Sequence, residues 1–391
     1  MVLGLVVALV ASPARGHSPP GEPSLEELVR LYRSGDHEKS VALATLWGCG
    51  TVEAETQRRL DAAASRDDRG RAPLRDRVAH VGGRVVVVGE PEPPGPRASP
   101  GGPEASEVLR LAVAAILTEC ALDHLRVGKP EGTRPGLEAA ARLVEAEPLG
   151  PRGRLFARRF YLVAGLTFQA YVDHEAGHNL FEEGLEHHPD DPELITALGS
   201  TIETVASVRR YDLPTDADRE RIRQDSGGYR SERGDSGSLP GASLPQAEAR
   251  YEKALALDPD LLEARLRLGR VRLLRGRPEQ ALPDLQRVAV EGQPAQRYLA
   301  RLFEGRAREG LGDLAGAVAA FRTATAHAPR AQTGLLALGR SLERLGDAAG
   351  AQEAFARASE AGVAFDPWWV YLSGQPDRID GWVVELRGLV P

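Results

Sequence analysis

His174-Glu175-Ala176-Gly177-His178 is the stretch whose residue types and spacing could carry hydrolytic chemistry. On a helix, two histidines four apart share a face and can both ligate zinc, and the glutamate beside the first can activate a bound water. A third ligand would have to come from elsewhere. Glu203, 25 residues beyond His178, stands on the next expected helix. No phosphate loop, no GxGxxG after a strand and no GxSxG occurs, and Gly82-Gly83 lacks the lysine and helix that a phosphate loop needs. The two cysteines, Cys49 and Cys120, have neither CxxC nor zinc-finger spacing. Two separate buried thiols are the expected state, since unpaired cysteine is among the most buried residue types. A disulfide is the alternative if the protein is exported.

The elements that must position these residues repeat themselves. From Leu244 to Ala361, Ala247, Ala281, Ala317 and Ala351 recur at spacings of 34, 36 and 34. Leu268-Gly269, Gly305 and Leu338-Gly339 keep step in the other half of each unit. Gly276, Gly312 and Gly346 stand where one helix must end in a left-handed turn, Asp313 and Asp347 follow as N-caps, and Pro259 and Pro329 stop the second helix. This pattern resembles the tetratricopeptide repeat family, a helix-turn-helix unit of about 34 residues. The resemblance implies an all-α, right-handed superhelical solenoid of antiparallel helix pairs, because one hairpin cannot bury its apolar face alone. It places Phe181, Tyr251, Phe321 and Phe355 at equivalent buried sites between hairpins. It also implies a non-catalytic scaffold for protein–protein interaction.

The register runs upstream of the clear array. Gly165 to Gly199 is again 34 residues, and Gly177, Phe181, Gly184 and Pro189 all fall in step. HEAGH therefore reads as the second helix of a repeat, with Gly177 as a small contact residue, and no metal or other cofactor is expected. A zinc metallopeptidase using His174, His178 and Glu203 is the rival reading. In the family, first helices line the concave surface and the residue after the conserved glycine points into the groove. The resemblance thus implies a row made of Arg270, Arg306 and Arg340, with Arg344 one turn beyond Arg340. Arginine forks bind carboxylates bidentately, so an acidic segment or a polypeptide C-terminus is the expected partner. Pairing with Glu263, Glu309 and Glu343 is the alternative use of these cations.

Composition limits the remaining classes. Aromatic residues are only 5%, which suits Ala/Leu helix packing better than a β-sandwich, and a net charge of −7 argues against general nucleic-acid binding. Arginine carries nearly all the positive charge, which reads as the mark of a GC-rich genome. Val2 to Ala11 is an apolar run of signal-peptide length, too short to span a bilayer, and small residues follow it. Residues 1–16 are therefore expected to direct export to the periplasm of a bacterium or beyond, with a cytoplasmic location as the alternative. Residues 17–65 read as a degenerate N-terminal hairpin. Residues 66–103 read as an irregular Pro/Gly-rich linker, with Val85 to Val88 extended or a helix end and lacking an obvious partner strand. Residues 104–208 read as degenerate repeats, 209–243 as a flexible insertion, 244–363 as the array and 364–391 as a helical cap. In that cap, Trp368, Trp369 and Trp382 are expected to cover the open end of the last full repeat.

Overall fold

The backbone turns where glycine allows it. Gly276, Gly312 and Gly346 have φ of +73°, +79° and +88°, the left-handed region that side chains disfavour. Each ends one helix and turns the backbone into the next. Asp313 Oδ1 then accepts the Gly316 N–H at 2.8 Å, and Asp347 Oδ1 accepts the Gly350 N–H at 2.9 Å. Such caps contribute about 1 kcal/mol each. Pro294 occupies the first turn of its helix behind Gln293, whose side chain forms a capping box with Gln296.

The structure is a computed structural model that describes residues 24–70, 78–81, 84–87, 103–127, 132–145, 149–170, 173–210, 239, 242–361, 366–372 and 376–390. The proposed signal segment lies outside the described residues, as do nearly all of the Pro/Gly-rich stretch after residue 87 and most of the insertion. The N-terminal part comprises α1 (Leu25–Arg33), α2 (His37–Trp47) and α3 (Cys49–Gly70). Paired helices follow: α4 (Pro103–Arg126) with α5 (Thr133–Glu145), and α6 (Pro151–Ala170) with α7 (His174–His187). Next come α8 (Pro192–Arg210) with α9 (Leu244–Leu257), and α10 (Leu262–Leu274) with α11 (Pro278–Glu291). The last pairs are α12 (Pro294–Gly310) with α13 (Leu314–His327), and α14 (Gln332–Leu345) with α15 (Ala348–Ala361). The fold closes with α16 (Pro367–Leu372) and α17 (Pro376–Leu389). This is an all-α tetratricopeptide-like solenoid. The insertion sits inside one hairpin, since α8 packs on α9 across it. No helix among the described residues is long and apolar enough to cross a membrane.

Phe181, Tyr251 and Phe321 are wholly buried, and Phe355 is partly buried against the core that holds Phe321. Each ring sits on the glycine of its own hairpin as well as in the stack. A methyl group at Gly305 would overlap the Phe321 ring, and one at Gly339 would overlap Phe355. The absence of a side chain on the first helix is therefore what makes room for the ring on the second.

Three expectations are corrected. Val85–Val87 does have a partner: β1 (Val78–Val81) pairs antiparallel with β2 (Arg84–Val87), Val81 opposite Arg84. Val78 and Val81 before Gly82-Gly83 and Val85 to Val87 after it are the sequence signal of a strand pair. Cys120 is disulfide-bonded and is not a separate thiol. The C-terminal segment does not cover the last repeat. α16 lies against α12, and α17 packs on α6 and α4 in the N-terminal half. Trp382 is buried in the N-terminal core rather than on α15, while Trp369 is exposed.

Candidate functional site

The HEAGH helix is positioned by packing. Asp173 caps α7 through the Ala176 N–H, and a Cβ at Gly177 would meet the Gly165 carbonyl oxygen at 2.8 Å. The two backbones are in close contact at the centre of the motif. Burial pulls His174 and His178 below the ordinary imidazole range. Their Nδ1 atoms have no hydrogen-bond partner among the described residues, and His178 Nε2 lies 3.4 Å from Glu182 Oε1. Glu175 is exposed.

Glu203 does not join them. Its fully buried carboxylate is surrounded by four donors from three other elements. Tyr251 Oη donates to Oε2 and Tyr371 Oη to Oε1, each at 2.7 Å. Arg267 Nη1 donates to Oε2 at 3.2 Å, and Arg270 Nη1 pairs with Oε1. Burial, then the Glu203 charge, pushes both phenols well above their ordinary range, so they remain O–H donors. A carboxylate with both oxygens so engaged has no place for zinc, which overturns Glu203 as a third metal ligand. Among the described residues no group of three His, Cys, Asp or Glu side chains is arranged to hold a metal ion.

The arginine row is broken at its first member. Arg270 is 3% exposed, pairs with Glu203 and stands 5.1 Å over the Trp368 ring and 5.3 Å over Tyr371. It is a buried structural cation, so its assignment to an open binding row is corrected. The neighbouring Glu263 serves Arg267 at 2.6 Å. Arg306, Arg340 and Arg344 are exposed. Arg306 and Arg344 converge on Glu309, at 2.8 Å to Oε2 and 3.2 Å to Oε1, and Ser341 Oγ donates to the same carboxylate at 2.7 Å. The two guanidinium groups are open to solvent, whereas the Glu309 side chain they share is only 9% exposed.

Beside Arg306 a cavity of about 620 Å³ opens between α10, α12 and α16. Leu273, Leu302 and Phe303 form its apolar wall, Arg306 and Thr333 stand at its polar edge, and Trp368 closes one side. Near it a carboxylate is already docked. Asp366 Oδ2 accepts the Thr333 N–H at 2.8 Å, and Asp366 Oδ1 accepts from Tyr298 Oη at 3.2 Å and the Trp368 N–H at 3.0 Å. Thr333 lies in the first turn of α14, whose N-cap is Ala331, with no capping side chain of its own. Asp366 therefore supplies from a distance the cap that α14 lacks, at the positive end of its dipole. Sequence reasoning missed Glu203 as a cluster centre and Asp366 as a cap. A glutamate on the apolar stretch Thr201-Ile202-Glu203-Thr204-Val205-Ala206 was a signal, since a buried charge needs partners.

Residues 243–297 and 304–366 match the family described as tetratricopeptide repeat. No curated protein matches the sequence. Among solved structures, MamA 41-end from Desulfovibrio magneticus RS-1 aligns at 20% identity over 55% of this protein and 97% of that one, with a TM-score of 0.37. PilW, described as a widely conserved type IV pilus biogenesis factor, aligns at 19% identity over 66% of this protein and 97% of that one, with a TM-score of 0.45.

Proposed function

Because residues 243–297 and 304–366 match the tetratricopeptide repeat family, we propose that this protein is a non-catalytic scaffold that captures an acidic segment or a polypeptide carboxyl terminus on its concave face. The observation that carries this reading is the cavity of about 620 Å³ beside Arg306. Its apolar wall suits side chains of a peptide, and Arg306, itself exposed, can exchange Glu309 for a partner's carboxylate. Arg340 and Arg344 extend the positive edge along α14. Neither nucleic acid nor a metal belongs to this reading. The setting proposed is the envelope of a bacterium, outside the cytoplasm. It is supported by the apolar run Val2–Ala11 and by the disulfide at Cys120, which persists in oxidising compartments.

The test uses fluorescein-labelled short acidic peptides with a free carboxyl terminus, their amidated forms and lysine-for-acid counterparts. The acidic free-carboxyl peptides should bind, binding should weaken with salt, and Arg306→Glu should abolish it while leaving the melting temperature nearly unchanged. Salt-insensitive binding, or binding that survives reversal of Arg306, Arg340 and Arg344 together, would show that the groove is not the site.

A further inference from the structure

The C-terminal segment contacts the protein as a ligand would. It enters with Asp366, whose carboxylate takes the Thr333 N–H and the Tyr298 hydroxyl. One helical turn follows, too short to be stable alone, so its shape is imposed by the surface beneath it. Trp368 and Tyr371 stack nearly parallel, 4° apart with centroids at 5.9 Å, and both rings meet Phe303 edge-on. Arg267 stands 4.3 Å over Tyr371, and Arg270 covers both rings. Tyr371 ends in a hydrogen bond to Glu203.

Beyond it, α17 is held on the N-terminal half by the buried side chains of Ile379, Trp382, Val383 and Leu386 and by polar contacts around them. Arg387 Nε donates to Glu119 at 2.8 Å, Arg159 pairs with Glu385 at 2.7 Å, and Arg152 donates to the Gly388 carbonyl at 3.0 Å. Arg126 pairs with Asp380. Lifting this segment strands no buried carboxylate. Glu203 keeps Tyr251, Arg267 and Arg270, and Glu119 keeps the Tyr32 hydroxyl at 2.6 Å. Buried charges stripped of every partner would forbid opening; here none is.

We propose that residues 366–372 are a built-in ligand that occupies part of the concave face, kept close by the docking of α17, and that the partner engages by displacing it with the same chemistry. That chemistry is an aspartate or glutamate followed two and five residues later by aromatic side chains, as in Asp366, Trp368 and Tyr371. The proposal rests on the concave face being the binding surface and adds the identity of the segment it takes and the competition that regulates it. A protein whose competitor is always tethered shows weakened affinity in proportion to the time the site is covered.

The experiment uses the full-length protein and a fluorescein-labelled peptide with the sequence of residues 361–375. Arg387→Ala loosens α17 without touching the groove. The peptide should bind this variant roughly tenfold or more tighter than the unaltered protein. Peptides carrying Asp366→Asn or Trp368→Ala should lose that binding. If Arg387→Ala does not fold, the double variant Asp380→Asn/Glu385→Gln cuts two exposed pairs and should give the same result. Equal affinity for loosened and unaltered proteins, or no binding to either, overturns the proposal. Acidic peptides that bind in an Arg306-dependent way, but no tighter to the loosened protein, would sink the competition alone. Acidic peptides that bind neither protein would sink the concave-face reading beneath it.

Discussion

Phe321 and Gly305 offer a test in which the sign of one substitution reverses. Phe321 is fully buried, and a Cβ on Gly305 would overlap its ring. Phe321→Ala removes the ring from a site whose facing residue has no side chain to move into the gap. The cost should fall in the upper part of the ~3–5 kcal/mol range for buried phenylalanine. Gly305→Ala alone forces a methyl into the ring and should cost about 1–3 kcal/mol through overpacking. In the Phe321→Ala background the same methyl enters vacated space and also gains roughly 0.5–1 kcal/mol of helix propensity over glycine. It should then stabilise. The coupling between the two changes is therefore expected at about 2–3 kcal/mol. Urea titrations of the four proteins, followed by circular dichroism at equal protein concentration, give the cycle. Additive effects, with Gly305→Ala destabilising in both backgrounds, would refute the claim that this ring sits on the glycine of its own hairpin.

Two further outcomes are expected. Glu203→Gln should destabilise by roughly 3–5 kcal/mol, because it leaves two buried guanidinium groups without their shared carboxylate; a urea-derived change below about 1 kcal/mol would make the cluster incidental. Burial, then the neighbouring Glu145, raises Glu183 to about 8, so the folded protein holds a proton that the unfolded one has released. Its contribution to stability is full below the ordinary carboxylate value and is lost as pH rises through about 8. Glu183→Gln should therefore flatten the fall in melting temperature between about pH 5 and pH 8, and an unchanged slope would contradict the shift.

Much of this protein is written in neighbouring residues. Gly312 with Asp313, and Gly346 with Asp347, determine a left-handed turn and a cap wherever they occur, because both depend on local backbone geometry and short side chains. The 34-residue spacing determines which hairpin stacks on which, since contacts between adjacent units repeat with the sequence. HEAGH could be assigned to packing for the same reason, as Gly177 and Phe181 fall in that register. The pairing of Val78–Val81 with Arg84–Val87 was legible too, had the valines on both sides of Gly82-Gly83 been taken together.

What decides the site is not periodic. Arg270, Arg306 and Arg340 occupy the same position in successive units, yet Arg270 is buried and the other two are exposed. The difference comes from Glu203 on an earlier helix and from Trp368 and Tyr371 on a later one. Tyr371 reaches Glu203 across 168 residues, and Arg387 reaches Glu119 across 268. A repeat pattern encodes only contacts between neighbours in the stack. The return of the C-terminal segment joins units that are not neighbours, so its partners depend on the curvature that brings distant surfaces together. Only the tertiary structure sets that curvature, and with it which carboxylate caps α14 and which arginines still face solvent.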